Sequence, residues 1–336
     1  MQSFYKLLLH SQNSDTRSTM WTLLAFFQKN LIYSIPTSMI IGVLVGYFFE
    51  VAFLEVLILP LIFLMIYPMM VNLQIKKVLS GSDMKVQLVT QLINFGVIPF
   101  LAFGLGQLFF ADEPMIALGI LLIGLIPSSG MTISWTGFGD GNIDAAMKMT
   151  VIGLVLGALL TPFYAEFLMG ASVPIPILYI LQKIALIVFL PMVAGFLTQR
   201  VILWKYGREK YQRDIKKRFP MLSTLGVLGV VAVAMALRAE VIVSQPAMLL
   251  VLLIPLILFY VVCFVFSILI AKYFFSKEDG VALLNGVVLR NLSIALAVAM
   301  TAFGPEGSGM VLIISLAYII QVQSAAWYIR YTDRLL

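Results

Sequence analysis

The chain has 336 residues, 61% of them hydrophobic and 11% charged, with a formal net charge of +6. Soluble domains carry nearer a quarter of charged residues, so this is the composition of a polytopic membrane protein. A single cysteine, Cys263, and a single histidine, His10, exclude an intrachain disulfide, and with no CxxC or HExxH spacing they remove most metal and nucleophile chemistry.

The first twenty residues read as a solvent-facing tail, and Trp21–Phe27 as a segment lying along the membrane interface. The apolar run at Leu7–Leu9 is too short for a cleavable signal. Apolar stretches of about 18 residues or more, enough to span a bilayer, then fall at 31–48, 52–74, 86–110, 114–139, 142–169, 174–203, 219–239, 246–275, 279–304 and 307–330. The expected organisation is all-α and integral to the membrane. It is one transporter domain over 1–336, with a tail and interfacial helix at 1–30, six spans over 31–203, a basic linker at 204–218 and four spans over 219–330.

Within the third span, Asn94 is an amide in an apolar setting, able to cross-link helices or to coordinate an ion. The fourth span does not read as a continuous helix. Between Leu125 and Asn142, Pro127 interrupts it, Ser128, Ser129 and Thr132 offer hydroxyls, and Gly130, Gly137, Gly139 and Gly141 loosen the backbone. Unsatisfied peptide groups cost several kcal/mol in hydrocarbon, so irregular backbone survives there only in a protein interior or beside a cavity. A helix broken in this way is the usual address of a secondary transporter's substrate site.

Asp140, Asp144 and Lys148 follow at the start of the fifth span. Asp144 and Lys148 have the favourable acid-then-base order for a local helical pair, worth about 0.2–0.5 kcal/mol when exposed; a proton relay through these groups is the alternative. Gly42/Gly46 and Gly153/Gly157 have the spacing that permits close helix packing. Lys183 lies about a third of the way into the sixth span, where its stem can snorkel to the interface.

In the ninth span, Asn285, Gly286, Arg290, Asn291 and Ser293 stand where apolar residues belong. Arg290 is near mid-depth, and an arginine at a helix centre costs about 2.5–3.5 kcal/mol on insertion scales. It therefore binds an anionic substrate or replaces a coupling ion, or else it is a structural partner for Asp140 or Asp144 or snorkels from a shifted span.

The charges test the span count. With an inside N-terminus, 18 of the 22 basic residues fall on the cytoplasmic side, Arg238 alone falls outside, and Lys148, Lys183 and Arg290 lie within spans. The positive charge is thus a topology signal, which leaves no case for a nucleic-acid partner. Both termini are expected in the cytoplasm, with the chain in the inner cell membrane. Ten spans divide into five plus five, and an odd-numbered half repeated in sequence must insert upside down, the inverted-repeat plan of many transporters.

Taken together, QKNLIYSIPTSMIIGVLVGYFF, FLMIYPMMVNLQ, NFGVIPF, MTISWTGFGDGN, LLTPF, VFLPMVAGF and LRNLSIALAVAMTAFG, in this order and spacing, resemble the bile acid:sodium symporter superfamily. YPMM, the Asn-aromatic-x-x-x-Pro-Phe pattern at 94–100 and Trp135 are most similar to its arsenical-resistance, arsenite-efflux branch. The resemblance implies ten helices in a five-plus-five inverted repeat. It also implies a panel of spans 1, 2, 6 and 7 beside a core domain, and broken fourth and ninth helices that cross at the site.

This chain departs from those relatives at the site. The cysteine that follows the proline in the arsenite branch is replaced by Ser128, and a hydroxyl is a poor substitute for a soft thiolate ligand. That branch's acid in the ninth span is Ser293 here. The sodium-coupled branch's glutamate ligand falls at Gly286, the neighbouring glutamine at Arg290, and its Ser-Asn pair at Thr132 and Ile133. The expectation is a secondary transporter of a small solute or anion by alternating access, with no cofactor. Proton or sodium coupling is left open, and a fixed guanidinium favours a mechanism without sodium. The alternatives are a sodium-coupled organic anion symporter and a transport-inactive sensor or structural homologue. An enzyme is disfavoured for want of metal ligands or a nucleophile–base pair.

Overall fold

A computed structural model describes residues 20–73, 83–237, 239–244, 246–329 and 331–336. Lys6, Arg17, Lys76, Lys77, Arg238 and Arg330, part of the charge argument above, lie outside the described residues, as does His10. Among those described there is no strand; the chain is a bundle of helices.

A helix over Met20–Lys29 turns by 101° into the next. There follow α1 (Leu31–Phe48), α2 (Ile58–Val71, entered through a 3-10 turn at Ala52–Leu57), α3 (Met84–Gly96), α4 (Ile98–Phe110), α5 (Pro114–Leu125), α6 (Gly130–Phe138), α7 (Ile143–Met169) and α8 (Ile177–Ile184). A π-bulge over Ala185–Phe189 leads into α9 (Leu190–Lys210). The rest are α10 (Arg218–Ala236), α11 (Ala239–Ser244), α12 (Pro246–Phe274), α13 (Lys277–Val288), α14 (Leu292–Ala302), α15 (Ser308–Ile329) and α16 (Thr332–Leu335).

Seven of these segments are long and apolar enough to cross a membrane unbroken, and the bent pair at the N-terminal end makes an eighth. The stretches 114–139 and 279–304, the fourth and ninth spans expected to be broken, are each two shorter helices, α5 with α6 and α13 with α14. The basic linker is also more regular than a loop. Helix continues to Lys210, interrupted at Gly207, whose φ of 76° suits a residue without a Cβ.

Two layers meet along a seam. α10 packs along α1 and α2, and α2 along α9, forming one layer; α3–α7 and α12–α15 form the other. The first layer is tight because glycines let backbones touch: a Cβ on Gly42 or Gly46 of α1 would collide with the carbonyls of Ala232 and Ala236 on α10. Large apolar side chains such as Trp204, Phe167 and Leu108 stay exposed around the outside, as a bilayer-facing belt requires. Gly46→Val should therefore lower the thermal unfolding midpoint in detergent by an overpacking penalty of about 1–3 kcal/mol. Gly104→Val, at a site with open space around it, should leave the midpoint nearly unchanged. Equal shifts in the two variants would rule out this account of the layer.

Candidate functional site

Both helix breaks have a local cause. Pro127 lacks an N–H and disfavours helical backbone at the residue before it, so α5 ends at Leu125 and Ile126 leaves the helix at ψ 87°. Ser128 takes a left-handed φ of 57°, uncommon outside glycine. Ser129 then starts α6 with a reciprocal cap: its hydroxyl accepts from the Met131 N–H at 3.2 Å, and Thr132 Oγ1 accepts from the Ser129 N–H at 3.0 Å. In the second break Leu289 is extended, and Asn291 Oδ1 accepts from the Ile294 N–H at 3.3 Å to start α14.

Polar backbone freed in an apolar interior must find partners, and the two breaks find each other. Pro127 and Arg290 form an isolated antiparallel bridge, with the Asn291 N–H donating to Ile126 O at 2.8 Å. Ser128 Oγ donates to Gly286 O at 3.0 Å, Asn94 Nδ2 to the same oxygen at 3.1 Å, and Thr132 Oγ1 to Asn285 O at 3.5 Å. Gln321 of α15 clasps the Arg290 peptide from behind, its Oε1 accepting from the N–H at 2.8 Å and its Nε2 donating to the carbonyl at 3.1 Å. The Asn285 Nδ2 has no partner among the described residues. Gly153 and Gly157 of α7 seat the first break: a Cβ on Gly157 would lie 3.0 Å from Pro127 Cδ and 3.1 Å from Leu125 O. The spacing read only as helix packing is thus part of the crossing.

Arg290 is fully buried. Its Nε donates to Ile123 O at 3.0 Å, Nη1 to Asn94 Oδ1 at 2.6 Å and to Val287 O at 3.0 Å, and Nη2 to Gly124 O. Ile123 and Gly124 belong to the last turn of α5, and Val287 to the last turn of α13. One cation thus neutralises the carbonyl ends of two helices, where unpaired C=O groups and the negative end of the dipole coincide. Its side-chain partners include no carboxylate, so the alternative of a pairing with Asp140 or Asp144 gives way to helix capping. The reason is geometric: Asp140 and Asp144 are exposed between the end of α6 and the first turn of α7, whereas Arg290 is fully buried.

The N-terminal ends of the restarted helices face the other way, into a cavity of about 320 Å³ on the seam between the layers. Its polar lining includes Ser129, Thr150, Asn291, Ser293 and Tyr318 from the second layer and Ser223 and Thr224 from α10, with Gln28, Asn72, Ser134 and Lys216 also on its wall. Met69, Met70, Met131 and Met147 supply much of the apolar wall. Of the residues singled out from sequence, Ser129, Asn291 and Ser293 reach the cavity; Ser128, Thr132, Asn94, Asn285 and Arg290 lie in the crossing behind it. Tyr318 escaped the sequence analysis. Its hydroxyl is 2.7 Å from Ser293 Oγ, and its signal was a polar stripe through an apolar helix: Ser315, Tyr318, Gln321 and Ser324, each three apart.

Asp140, Asp144 and Lys148 do not line the cavity. Lys148 is buried and donates to Asp83 Oδ2 at 2.9 Å, a partner immediately before α3. Asn142 Nδ2 donates to Asp83 Oδ1 at 3.1 Å and to Asp279 Oδ1 at 2.8 Å, so the starts of α3, α7 and α13 are tied together. Among the described residues no cluster of His, Cys, Asp and Glu has the arrangement of a metal site, and Cys263 is buried in α12, away from the cavity lining.

Replacing Arg290 should reveal a structural part. Arg290→Met strands three backbone carbonyls and Asn94 Oδ1, each buried unsatisfied group costing about 1–3 kcal/mol. The expected outcome is a large fall in melting temperature, with Arg290→Lys intermediate. A variant that melts like the parent would show that the guanidinium does not hold the crossing.

The sequence compares with known proteins in the same sense. A model of the Sodium Bile acid symporter family matches residues 59–245. The chain is similar to the Arsenical-resistance protein Acr3 of Alkaliphilus metalliredigens, 24% identical over 93% of both chains. It is also similar to the protein of that name from Corynebacterium glutamicum, 25% identical over 71% of this chain and 68% of the relative. The Probable sodium/metabolite cotransporter BASS5, chloroplastic, of Arabidopsis thaliana is 25% identical over 62% of this chain and 49% of the relative. With more than half of its length matched by the family model, the chain belongs to the Sodium Bile acid symporter family, whose members are transporters and not enzymes.

Proposed function

We propose that this protein is a secondary active transporter that moves a small solute or anion by alternating access. The reading takes it to cross the inner cell membrane ten times, as a five-plus-five inverted repeat with both termini in the cytoplasm. The observation that carries it is the cavity of about 320 Å³ ending on the first turns of α6 and α14 at the paired breaks. Positive helix ends favour an anionic or oxygen-rich group, and the hydroxyls of Ser129, Ser293 and Tyr318 with the Asn291 amide add neutral hydrogen-bonding partners.

A second cavity supports the alternating part. It has a volume of about 440 Å³ and lies on the same seam, lined by Ile58, Leu59, Ala234, Leu237, Met300 and Thr301 among others. Both cavities thus draw on α2, α10, α14 and α15, at opposite ends. Along α14 the barrier runs from Ser293 to Met300, about 10 Å by helical rise. Ile66, Val230, Val298 and Ile314 within it are completely buried. Sliding one layer against the other would move this apolar seal and open the site to one side at a time.

Coupling follows from Arg290. Broken-helix transporters use half-helix C-terminal carbonyls to coordinate a travelling cation; here those oxygens are committed to a tethered guanidinium. A longer side chain at Gly286 would require Met149 to shift, since a Cβ there would lie 2.7 Å from Met149 Sδ. The proposed cycle therefore needs no sodium at this position and is driven by protons or by exchange. Two of the relatives carry arsenical resistance in their names, but the cavity here offers hydroxyls and thioethers and no thiol. The substrate is taken to be held by hydrogen bonds at helix N-termini and not through sulfur.

Proteoliposome uptake tests this directly, using small carboxylates, inorganic oxyanions and arsenite as solutes. Transport of the accepted solute should run equally in sodium and potassium media. Tyr318→Phe and Ser293→Ala should each slow it by about tenfold, the size of a lost hydrogen bond of roughly 1.4 kcal/mol, with melting temperatures close to the parent's. Strict sodium dependence would defeat the coupling scheme, and parental rates in both variants would defeat the site.

A further inference from the structure

The basic linker between α9 and α10 carries more structure than a topology signal needs. From Trp204 to Arg218 it holds seven basic residues against two acids, Glu209 and Asp214. Charge alone sets orientation, and an irregular loop supplies it equally well. Here the segment is folded and fastened to the end of α2. Tyr211 is buried, its hydroxyl 3.0 Å from Asn72 Oδ1 and 3.3 Å from Val71 O. Gln199 Nε2 donates to Val71 O at 2.7 Å and to the Tyr211 hydroxyl at 3.1 Å, and Asn72 Nδ2 donates to Lys216 O at 2.9 Å.

The fold gathers two of these charges at one place. Lys205 and Lys210 both set their ammonium groups over the Tyr206 ring, at 5.5 and 5.2 Å from its centroid. The break at Gly207, with φ 76°, lies between them and lets both reach the same ring. Both lysines are exposed, and neither forms an ion pair among the described residues. Two like charges held on one ring repel each other, and an anion shared between them relieves that repulsion. Beside them Trp204 is 87% exposed at the end of an apolar helix, where Trp and Tyr rings collect at the headgroup level. At the other end of the linker Arg218 lies over the Trp21 ring at 5.0 Å, joining it to the helix over Met20–Lys29. Met20, Leu23 and Phe26 of that helix are exposed and three apart, the apolar face of a segment lying in the headgroup–acyl boundary.

We propose that the Lys205–Tyr206–Lys210 cluster binds the phosphate of an anionic glycerophospholipid, with the Trp204 ring against its glycerol and acyl chains. The exposed aromatic ring beside the charges argues for a lipid over a soluble anion. A zwitterionic lipid brings its own ammonium to the two lysines and is disfavoured. Through Tyr211 and Asn72 a lipid bound here would hold the first layer at its α2 end. The site depends neither on which side is cytoplasmic nor on what the protein transports.

The full-length protein in detergent is mixed with equal amounts of phosphatidylglycerol and phosphatidylcholine of the same acyl chains, and retained lipid is counted by native mass spectrometry. The parent should keep phosphatidylglycerol in preference. One basic residue at the membrane surface corresponds to about fivefold in affinity, so Lys205→Gln with Lys210→Gln should weaken phosphatidylglycerol binding about tenfold or more and leave phosphatidylcholine unchanged. Lys205→Arg with Lys210→Arg should keep most of the binding. Lys272→Gln with Arg334→Gln removes the same charge from exposed positions elsewhere and should bind like the parent. All of these side chains are exposed, so each variant should melt with the parent before lipid is added. Phosphatidylglycerol should then raise the melting temperature of the parent, and millimolar inorganic phosphate should not. Parental binding in the Lys205/Lys210 glutamine pair, an equal loss in the Lys272/Arg334 pair, or equal retention of the two lipids by the parent would overturn the site. Stabilisation by phosphate as large as by phosphatidylglycerol would overturn the assignment to a lipid.

Discussion

The guanidinium of Arg290, spread across the carbonyl ends of α5 and α13, is the contact on which the rest of the structure depends. Two helices that stop in an apolar interior leave eight unpaired carbonyls between them, and hydrocarbon offers nothing to satisfy them. Arg290 answers part of that need with donors in a fixed fork, and Asn94 and Gln321 hold the fork and its peptide in place. A cation at mid-depth, which looks costly when read one helix at a time, is affordable here because it meets two negative helix ends at once.

Capping the carbonyl ends on one side leaves the amide ends of α6 and α14 on the other, where the cavity begins. The crossing thus sorts charge: a resident cation among carbonyls behind, and positive helix ends with hydroxyls in front. The same backbone break therefore does two jobs that a straight helix does not offer. It gives the interior a polar surface that lines the cavity, and it fixes that surface at the seam between the two layers. The clasp of Asp83, Asn142, Lys148 and Asp279 at one end of the second layer works toward the same end, keeping α3, α7 and α13 together as one body.

Much of this was legible in the residues. Pro127 with its serines and glycines announced one break, and Arg290 with its flanking asparagines announced the other, because proline chemistry and the cost of buried charge are local properties. What those residues contact was not legible. Arg290 was weighed as a ligand for substrate or as a partner for Asp140 or Asp144, and it is neither a cavity residue nor next to a carboxylate. Lys148 was matched with the acid one turn away, yet the bond that crosses between helices is to Asp83. Ser128, read as the thiol's replacement in the site, turns its hydroxyl to the Gly286 carbonyl. In each case the partner is more than sixty residues distant in the chain or lies on another helix, where periodicity carries no information.

The sequence by itself determined that this is a helical membrane protein and where two of its helices break. Composition, span length and proline placement act through the bilayer's refusal of unpaired backbone, which is the same wherever the segment sits. Only the tertiary structure decided which polar groups face one another and which face the cavity. Tyr318 and Lys183, one in a stripe through the last long helix and the other beside a π-bulge, gained their places from packing. A half-turn of rotation about either helix axis would turn them into lipid or core, and nothing in the local chemistry sets that rotation; the contacts of α8 and α15 with their neighbours do.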